Sequence, residues 1–202
     1  MIKVFLDTEF ANLHDQATLL SLALVDERGD AFYSILPSAE GEALSPQSLE
    51  YNKAARLSIL PSAEGEALSP FVREHVLPVL EKLPQMNEGR LTSFRGSRQE
   101  VVVPLTSWLE NRGDVVQVWA DVAYHDWQQF CSLFGGVQSL PTCIHYIPMD
   151  LATLLWVRGV NPDSVRSSLI AQEFLPEGYV PHNALSDAYL GMLILKKYQS
   201  DV

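Results

Sequence analysis

Cysteine is nearly absent: the 202 residues hold two, Cys131 and Cys143. They form neither a metal-ligand spacing nor a framework of bridges. That excludes a small disulfide-stapled scaffold and makes a reducing cytoplasm the expected setting. Basic residues are also scarce, with 14 Lys and Arg against 25 Asp and Glu and a formal net charge of −11. A passive nucleic-acid coat, which needs a basic face, is therefore excluded. An enzyme that meets a polyanion through cations held on its own carboxylates is not. Long apolar runs are missing as well. Residues 18–25 and 190–195 fall short of the ~18–20 consecutive apolar residues of a membrane helix, so no membrane contact is expected. The acid at position 7 argues against a secretory leader. Finally, there is no Walker loop, no GxGxxG, no nucleophile elbow and no CxxC, which removes the commonest nucleotide, acyl-transfer and redox signatures.

What is present is the composition of a globular chain, 47% apolar and 19% charged. Its length predicts one domain over residues 1–202 with a sizeable core of its own. Residues 2–7, 19–25 and 31–36 read as three successive strands, the last two joined by a hairpin turn at Asp26-Glu27-Arg28-Gly29-Asp30. Residues 71–83 have helical periodicity, with Pro78 expected to kink or end the helix. Residues 104–110 read as the core of a second helix, with Pro104 suited to a first turn and Leu105, Trp108 and Leu109 on the buried stripe. A strand at 115–120, a helix at 124–134 closed by Gly135-Gly136, a strand at 143–147 and a helix at 150–157 capped by Asp150 follow. A final helix is expected over 184–198, with Leu185, Ala188, Met192 and Leu195 on one face. This order predicts an α/β fold, a mixed sheet in which a three-strand antiparallel meander is joined by parallel strands and flanked by helices.

One stretch follows no architecture. SILPSAEGEALSP occupies residues 34–46 and recurs without change at 58–70, an offset of 24 residues. Repeat folds recur at least three times and drift in sequence. The pair therefore reads as a tandem duplication within about 34–70 that carries no chemistry, with one copy forming a surface excursion.

Three short segments could carry chemistry. In Asp7-Thr8-Glu9 the alternation of a strand sends both carboxylates to the same side. Their repulsion calls for a positive partner between them, and a divalent cation would serve. A surface turn would also account for this pair taken alone. In VWADVAYHDW, residues 118–127, a strand runs into a helix with Asp121 and Asp126 competing for a role at the junction, and either could simply cap the helix. In HNALSDA, residues 182–188, His182 and Asp187 would point ~140° apart on a regular helix. They can converge only if His182 precedes the helix, and Pro181 supports a break there. Taken together, four carboxylates and a histidine from a first strand, a strand–helix junction and a last helix suit two-metal phosphodiester cleavage. In that chemistry two ions ~3.5–4 Å apart clamp the attacking and leaving oxygens. Magnesium favours carboxylate oxygens, and a histidine can take the proton of an attacking water.

FLDTEF, VWADVAYHDW and HNALSDA resemble the three motifs of the DEDDh 3′–5′ exonucleases, a group named for four acids and a histidine and built on a ribonuclease H-like fold. The last fits the His-x4-Asp form. FVREHVLP at residues 71–78, Ser97-Arg98-Gln99 at a helix start and Trp119-Ala120 at a strand end are similar to the compact ribonuclease AS-like branch. The resemblance runs from Phe5 to Tyr198 and is interrupted by the duplication: removing 24 residues would restore the branch's spacing between Tyr33 and Phe71.

The resemblance implies two divalent ions, Mg²⁺ or Mn²⁺. Asp7, Glu9 and Asp187 would hold one, Asp7 would reach the second, and Asp126 would support the second partly through water. Asp126 is preferred to Asp121 because its place within Ala-Tyr-His-Asp matches the branch. His182 would be the general base. Thr8 and Phe10 would contact the terminal nucleotide, Phe10 by stacking. The implied activity is release of nucleoside 5′-monophosphates from single-stranded 3′ ends, RNA favoured over DNA, by a cytoplasmic homodimer. An exodeoxyribonuclease and a non-catalytic nucleic-acid or protein-binding module on the same fold are the alternatives. Arg95 and Arg98 could steer a phosphate backbone. His125 beside Asp126 is explained equally well as a helix-surface residue, and His14, His75 and His145 show no ligand spacing.

Overall fold

Strand β1 (Ile2–Phe10) and strand β2 (Leu19–Asp26) form an antiparallel pair, and β3 (Ala31–Ile35) continues the meander on the far side of β2. The turn between β2 and β3 closes as its sequence predicts. The Asp26 carboxylate accepts from the backbone N–H groups of Arg28 and Asp30, and Gly29 takes the positive φ of 91° that the turn needs. The structure is a computed structural model and describes residues 1–12, 17–36, 68–85 and 89–199. Residues 37–46 and 58–67, the bulk of the two repeat copies, and with them the expected surface excursion, lie outside the described residues.

The sheet has six strands in the order β4-β3-β2-β1-β5-β6. Strand β4 (Leu91–Arg95) pairs parallel with β3, β5 (Val116–Ala120) parallel with β1, and the two-residue β6 (Met149–Asp150) parallel with β5. This is the mixed α/β sheet expected from the sequence and is consistent with a ribonuclease H-like fold. Strand β2 lies between β1 and β3 and is buried along its whole length, which explains its almost unbroken apolar run. Its one acid, Asp26, is fully buried and paired with Arg112, whose guanidinium also lies 4.2 Å from the Trp108 ring.

Among the described residues, four α-helices cover the two faces: α1 (Arg98–Glu110), α2 (Tyr124–Leu133), α3 (Leu151–Val157) and α4 (Ala184–Gln199). Alternate residues of the strands sort the core. Val4, Leu6, Leu22, Leu24, Phe32 and Val118 face α1 and α2, where Leu105, Leu109 and Phe130 meet them. Phe5, Ala23, Val25, Tyr33 and Trp119 face α3 and α4, where Leu151, Leu155, Leu185 and Ala188 meet them. Asp150 caps α3 by accepting from the Thr153 N–H at 2.6 Å.

Three local expectations are corrected, and one strand is added. The segment after residue 70 is not a regular helix to 83. It forms one π-helical turn (Val72–Val76) and then irregular turns, because Pro78 cannot supply the N–H that would continue a helix. Helix α1 starts at Arg98, as the resemblance at Ser97-Arg98-Gln99 implies, and not with Pro104 in its first turn. Ser97 and Glu100 close a reciprocal capping box there, and Pro104 sits inside the helix. The expected strand at 143–147 reduces to an isolated bridge between Ile144 and Val116, and pairing with β5 resumes at β6. Strand β4 was not anticipated. It lies at the sheet edge with most of its side chains exposed, so it lacks the apolar alternation that marks a strand.

Candidate metal centre

Strands β1 and β5 run parallel, and a cleft lined by Asp7, Asp121, His182 and Asp187 lies at their carboxyl ends. Such a place collects ligand-binding residues in α/β sheets generally. Alternation along β1 places Asp7 and Glu9 on the α4 side with Phe5, and turns Thr8 to the α2 side. Helix α4 supplies Asp187. One carboxylate oxygen from each of Asp7, Glu9 and Asp187 lies within 4.8 Å of the other two, so residues 180 positions apart in sequence meet at one point.

The approach of α4 to β1 depends on a missing side chain. A Cβ on Gly191 would lie 2.1 Å from the Phe5 ring, which is itself fully buried. Gly191 follows Asp187 by one helical turn and faces the same way. The glycine therefore sets how near Asp187 comes to the acids of β1. The start of α4 is tied down as well. Asn183 accepts from the Ser186 N–H at 3.1 Å, and its amide donates to the carbonyls of Val79 and Lys82 at 2.9 and 3.0 Å.

His182 lies in the turn before α4, as the break at Pro181 predicts, with a left-handed φ of 60°. Its backbone N–H donates to Asp187 Oδ2 at 2.8 Å, and the Tyr179 hydroxyl donates to Asp187 Oδ1 at 3.1 Å. The His182 ring stands edge-on to Phe71, centroids 4.9 Å apart, and 5.9 Å from the ring of His75. Partial burial, and then His75, hold the His182 pKa below its ordinary value, which favours the neutral imidazole, the form that accepts a proton.

Asp126, on the first turn of α2, approaches β1 from the other face of the sheet. Its Oδ1 accepts from both the backbone N–H of Thr8, at 2.9 Å, and the Thr8 hydroxyl, at 2.6 Å. Thr8 is 6% exposed, so the hydroxyl expected near a nucleotide is engaged with Asp126. Phe10 is half-buried, its ring 5.8 Å from that of His125. The turn that delivers α2 is strained. Val122, a β-branched residue, has φ 50°, and the next N–H, of Ala123, donates to Asp150 at 2.9 Å. Asp121 lies in the same cleft, but both its oxygens are taken by Arg166, at 2.6 and 2.9 Å.

This crowding of negative charge is costly without a cation. Burial first, and then Asp126, Asp187, Glu9 and Asp121, push the Asp7 carboxyl well above the usual carboxylate range. Burial, then Asp187 and Asp126, raise Glu9 to about 8. Burial raises Asp126 to about 7 against the opposing bonds from Thr8. It raises Asp187 to about 6 against those from Tyr179 and His182. A divalent ion among these oxygens would reverse every one of these shifts. The donor set, carboxylate oxygens alone, suits a hard cation such as Mg²⁺ or Mn²⁺.

Asp7, Asp187 and His182 line a cleft of 340 Å³ together with Asp121, Arg166 and Tyr179. A larger hollow of 580 Å³ along the outer side of α2, around Trp127 and Val137, holds none of the carboxylates. Arg95 pairs with Glu81, and Arg98 donates to the Ser132 hydroxyl at 2.6 Å. Sequence reasoning passed over Tyr179, Arg166, Asn183 and Gly191. Asn183 could have been found as a helix cap. Gly191 could have been noticed as a small residue one turn beyond a candidate ligand. Tyr179 sits in irregular chain and Arg166 opens a short 3₁₀ helix, and neither gave a signal.

Among the described residues no helix is long and apolar enough to cross a membrane. No protein-family model matches the chain. The chain is similar to two proteins from two strains of Mycobacterium tuberculosis, each named a 3′-5′ exoribonuclease. In both cases it is 27% identical over 175 residues, which cover 84% of this chain and 86% of the relative.

Proposed function

We propose that this protein is a divalent-metal-dependent 3′–5′ exonuclease of the DEDDh type. In this reading it takes single-stranded RNA in preference to DNA and releases nucleoside 5′-monophosphates. The observation that carries the reading is the meeting of Asp7, Glu9 and Asp187 within 4.8 Å, with His182 in the turn immediately beside them. The names of the two mycobacterial relatives favour RNA as substrate and the 3′ end as the point of attack.

Asp7, Glu9 and Asp187 would hold one ion, Asp7 would share the second, and Asp126 would support that second site. Two such ions supply a Lewis-acid clamp on the attacking and leaving oxygens of a phosphodiester. His182 accepts the proton of the attacking water. The water oxygen bonds to phosphorus, the P–O3′ bond breaks, and the 3′ oxygen leaves with the shortened strand as an alkoxide that takes a proton from solvent to become its 3′ hydroxyl. Asp187 acts twice, as a ligand and as the acceptor that fixes the His182 backbone. Thr8 orients Asp126. Phe10, beside His125, offers a ring on which a terminal base can stack. The single-domain reading of the whole chain, a homodimeric state and a cytoplasmic setting belong to the same proposal.

Incubation of 5′-labelled single-stranded RNA and DNA oligomers with Mg²⁺, with Mn²⁺ or with a chelator tests it. The expected result is a ladder shortened from the 3′ end, faster on RNA, with nucleoside 5′-monophosphate released and both effects lost with chelator. Preference for DNA would revise the substrate. Binding without release in the presence of metal would replace the enzyme by a binding module. His182→Ala should cut the rate roughly 10²–10⁴-fold, the worth of a general base, while Mn²⁺ affinity stays within a few-fold.

A further inference from the structure

The cleft that holds the acids also holds one guanidinium, and its placement is unusual for a protein with a net charge of −11. Among the described residues that line the cleft, Arg166 is the one Lys or Arg. It grips Asp121 through Nε and Nη2, at 2.6 and 2.9 Å, and donates from Nη1 to the Ser164 carbonyl at 2.6 Å. Three of its five N–H groups are thereby used, and the head is fixed in direction rather than free in solvent. Its side chain keeps 19% of its surface exposed and that of Asp121 keeps 27%, so the pair forms part of the wall and is not sealed in the core.

Two explanations compete. Arg166 could serve only to neutralise Asp121, which otherwise adds another carboxylate to the group around Asp7, Asp126 and Asp187. Alternatively, Asp121 serves Arg166 by holding a guanidinium at the rim of an anionic site, its remaining N–H groups available to a ligand. The second fits the charge problem of the cleft better. A polynucleotide brings further phosphates beyond the one being cleaved, and the lining carboxylates repel them. A preoriented guanidinium is the side chain suited to a phosphate oxygen pair, and a tether lowers the entropy lost on binding.

We propose that Arg166, oriented by Asp121, is a substrate-binding residue that takes a non-scissile phosphate of the nucleic-acid strand. This rests on the exonuclease reading above. Asp121 is then a positioning residue acting through Arg166. Loss of the guanidinium should act on binding more than on the chemical step.

The test combines steady-state kinetics on a single-stranded RNA oligomer with equilibrium binding of the same fluorescent oligomer in Ca²⁺. Arg166→Ala should raise KM and Kd roughly tenfold to hundredfold, the range for a charge-assisted contact, with a smaller change in kcat. The salt dependence of log Kd should fall by about 0.7, the share of one phosphate on a single strand. Arg166→Lys should recover part of the loss. Asp121→Asn should raise KM less than Arg166→Ala does. The double variant Asp121→Asn/Arg166→Ala decides between the explanations. Persistence of the high KM and the reduced salt slope supports phosphate binding, whereas return to wild-type values shows that Arg166 only balances Asp121 and overturns the inference. Unaltered KM and salt slope in Arg166→Ala, beside an active wild type, overturn it too and leave the exonuclease reading standing. A wild type that neither binds nor shortens RNA overturns both.

Discussion

The acidic site has two walls, one from α4 and one from α2, and they are built by different means. The α4 wall is set by packing and backbone: Gly191 against Phe5, Asn183 bolted to the carbonyls of Val79 and Lys82, and the His182 N–H on Asp187. The α2 wall hangs on polar contacts at a strained turn, with Asp126 held by Thr8 and the Ala123 N–H held by Asp150. Packing of this kind fails through steric overlap and polar contacts fail through loss of a partner, so the two walls should break differently.

Asp7 belongs to both walls, since after burial Asp126 and Asp187 do most to raise its pKa. Asp7→Ala should therefore abolish turnover and weaken Mn²⁺ binding, measured by oligomer degradation and by calorimetry. The metal-free protein should melt no lower than the wild type at pH 8, because the substitution removes a buried carboxylate in repulsive company. Near-normal activity would remove the metal assignment altogether.

Gly191→Ala probes the α4 wall alone. Helix propensity by itself would make this change stabilising by about 1 kcal/mol. A Cβ 2.1 Å from a fully buried ring reverses the sign: overpacking typically costs about 1–3 kcal/mol, so Tm should fall by several degrees. Asp187 should also be pushed from Asp7 and Glu9, giving a loss of metal affinity that a surface alanine on α4 does not reproduce. A rise in Tm would show that α4 is free to retreat.

The carboxylates also tie stability to pH. Their folded pKa values, about 6 for Asp187, 7 for Asp126 and 8 for Glu9, lie above the ordinary 3.8 and 4.5. The folded state thus binds protons more tightly than the unfolded chain. Stability from these groups is present below about pH 4 and is lost as pH rises toward 8. Melting in chelator should show Tm falling across that window. Saturating Mg²⁺ or Mn²⁺ should restore it most at the alkaline end, where no proton competes for the oxygens. A metal effect that is constant with pH would place the ion elsewhere.

Legibility in the sequence follows the range of the interactions. The meander could be read because its hairpin turn and apolar runs are local. Asp7 and Glu9 could be placed on one side because strand alternation is local too. His182 could be set ahead of the last helix from Pro181 and an angular argument. Strand β4 could not be read, since an exposed edge strand such as Leu91–Arg95 has no apolar period and is defined by its pairing with β3. The contacts that complete the site join residues far apart: Thr8 to Asp126 across 118 positions and Arg166 to Asp121 across 45. No window of sequence contains both members of either pair.

The smallest effects come from single hydroxyls, one on each wall. Thr8→Val removes a 2.6 Å donor to Asp126 that is buried, and leaves the backbone N–H in place. Tyr179→Phe removes a 3.1 Å donor to Asp187 that is only partly buried, and leaves the His182 N–H. The shorter and drier bond is worth more, so Thr8→Val should cost about tenfold in rate and Tyr179→Phe a few-fold. Each change should also raise the pH at which metal begins to bind, because each removes a donor that favours the ionised carboxylate. Rates and metal-binding pH profiles of both variants measure this directly. A greater loss from Tyr179→Phe would mean that the α4 wall, and not the α2 wall, depends on its polar contacts.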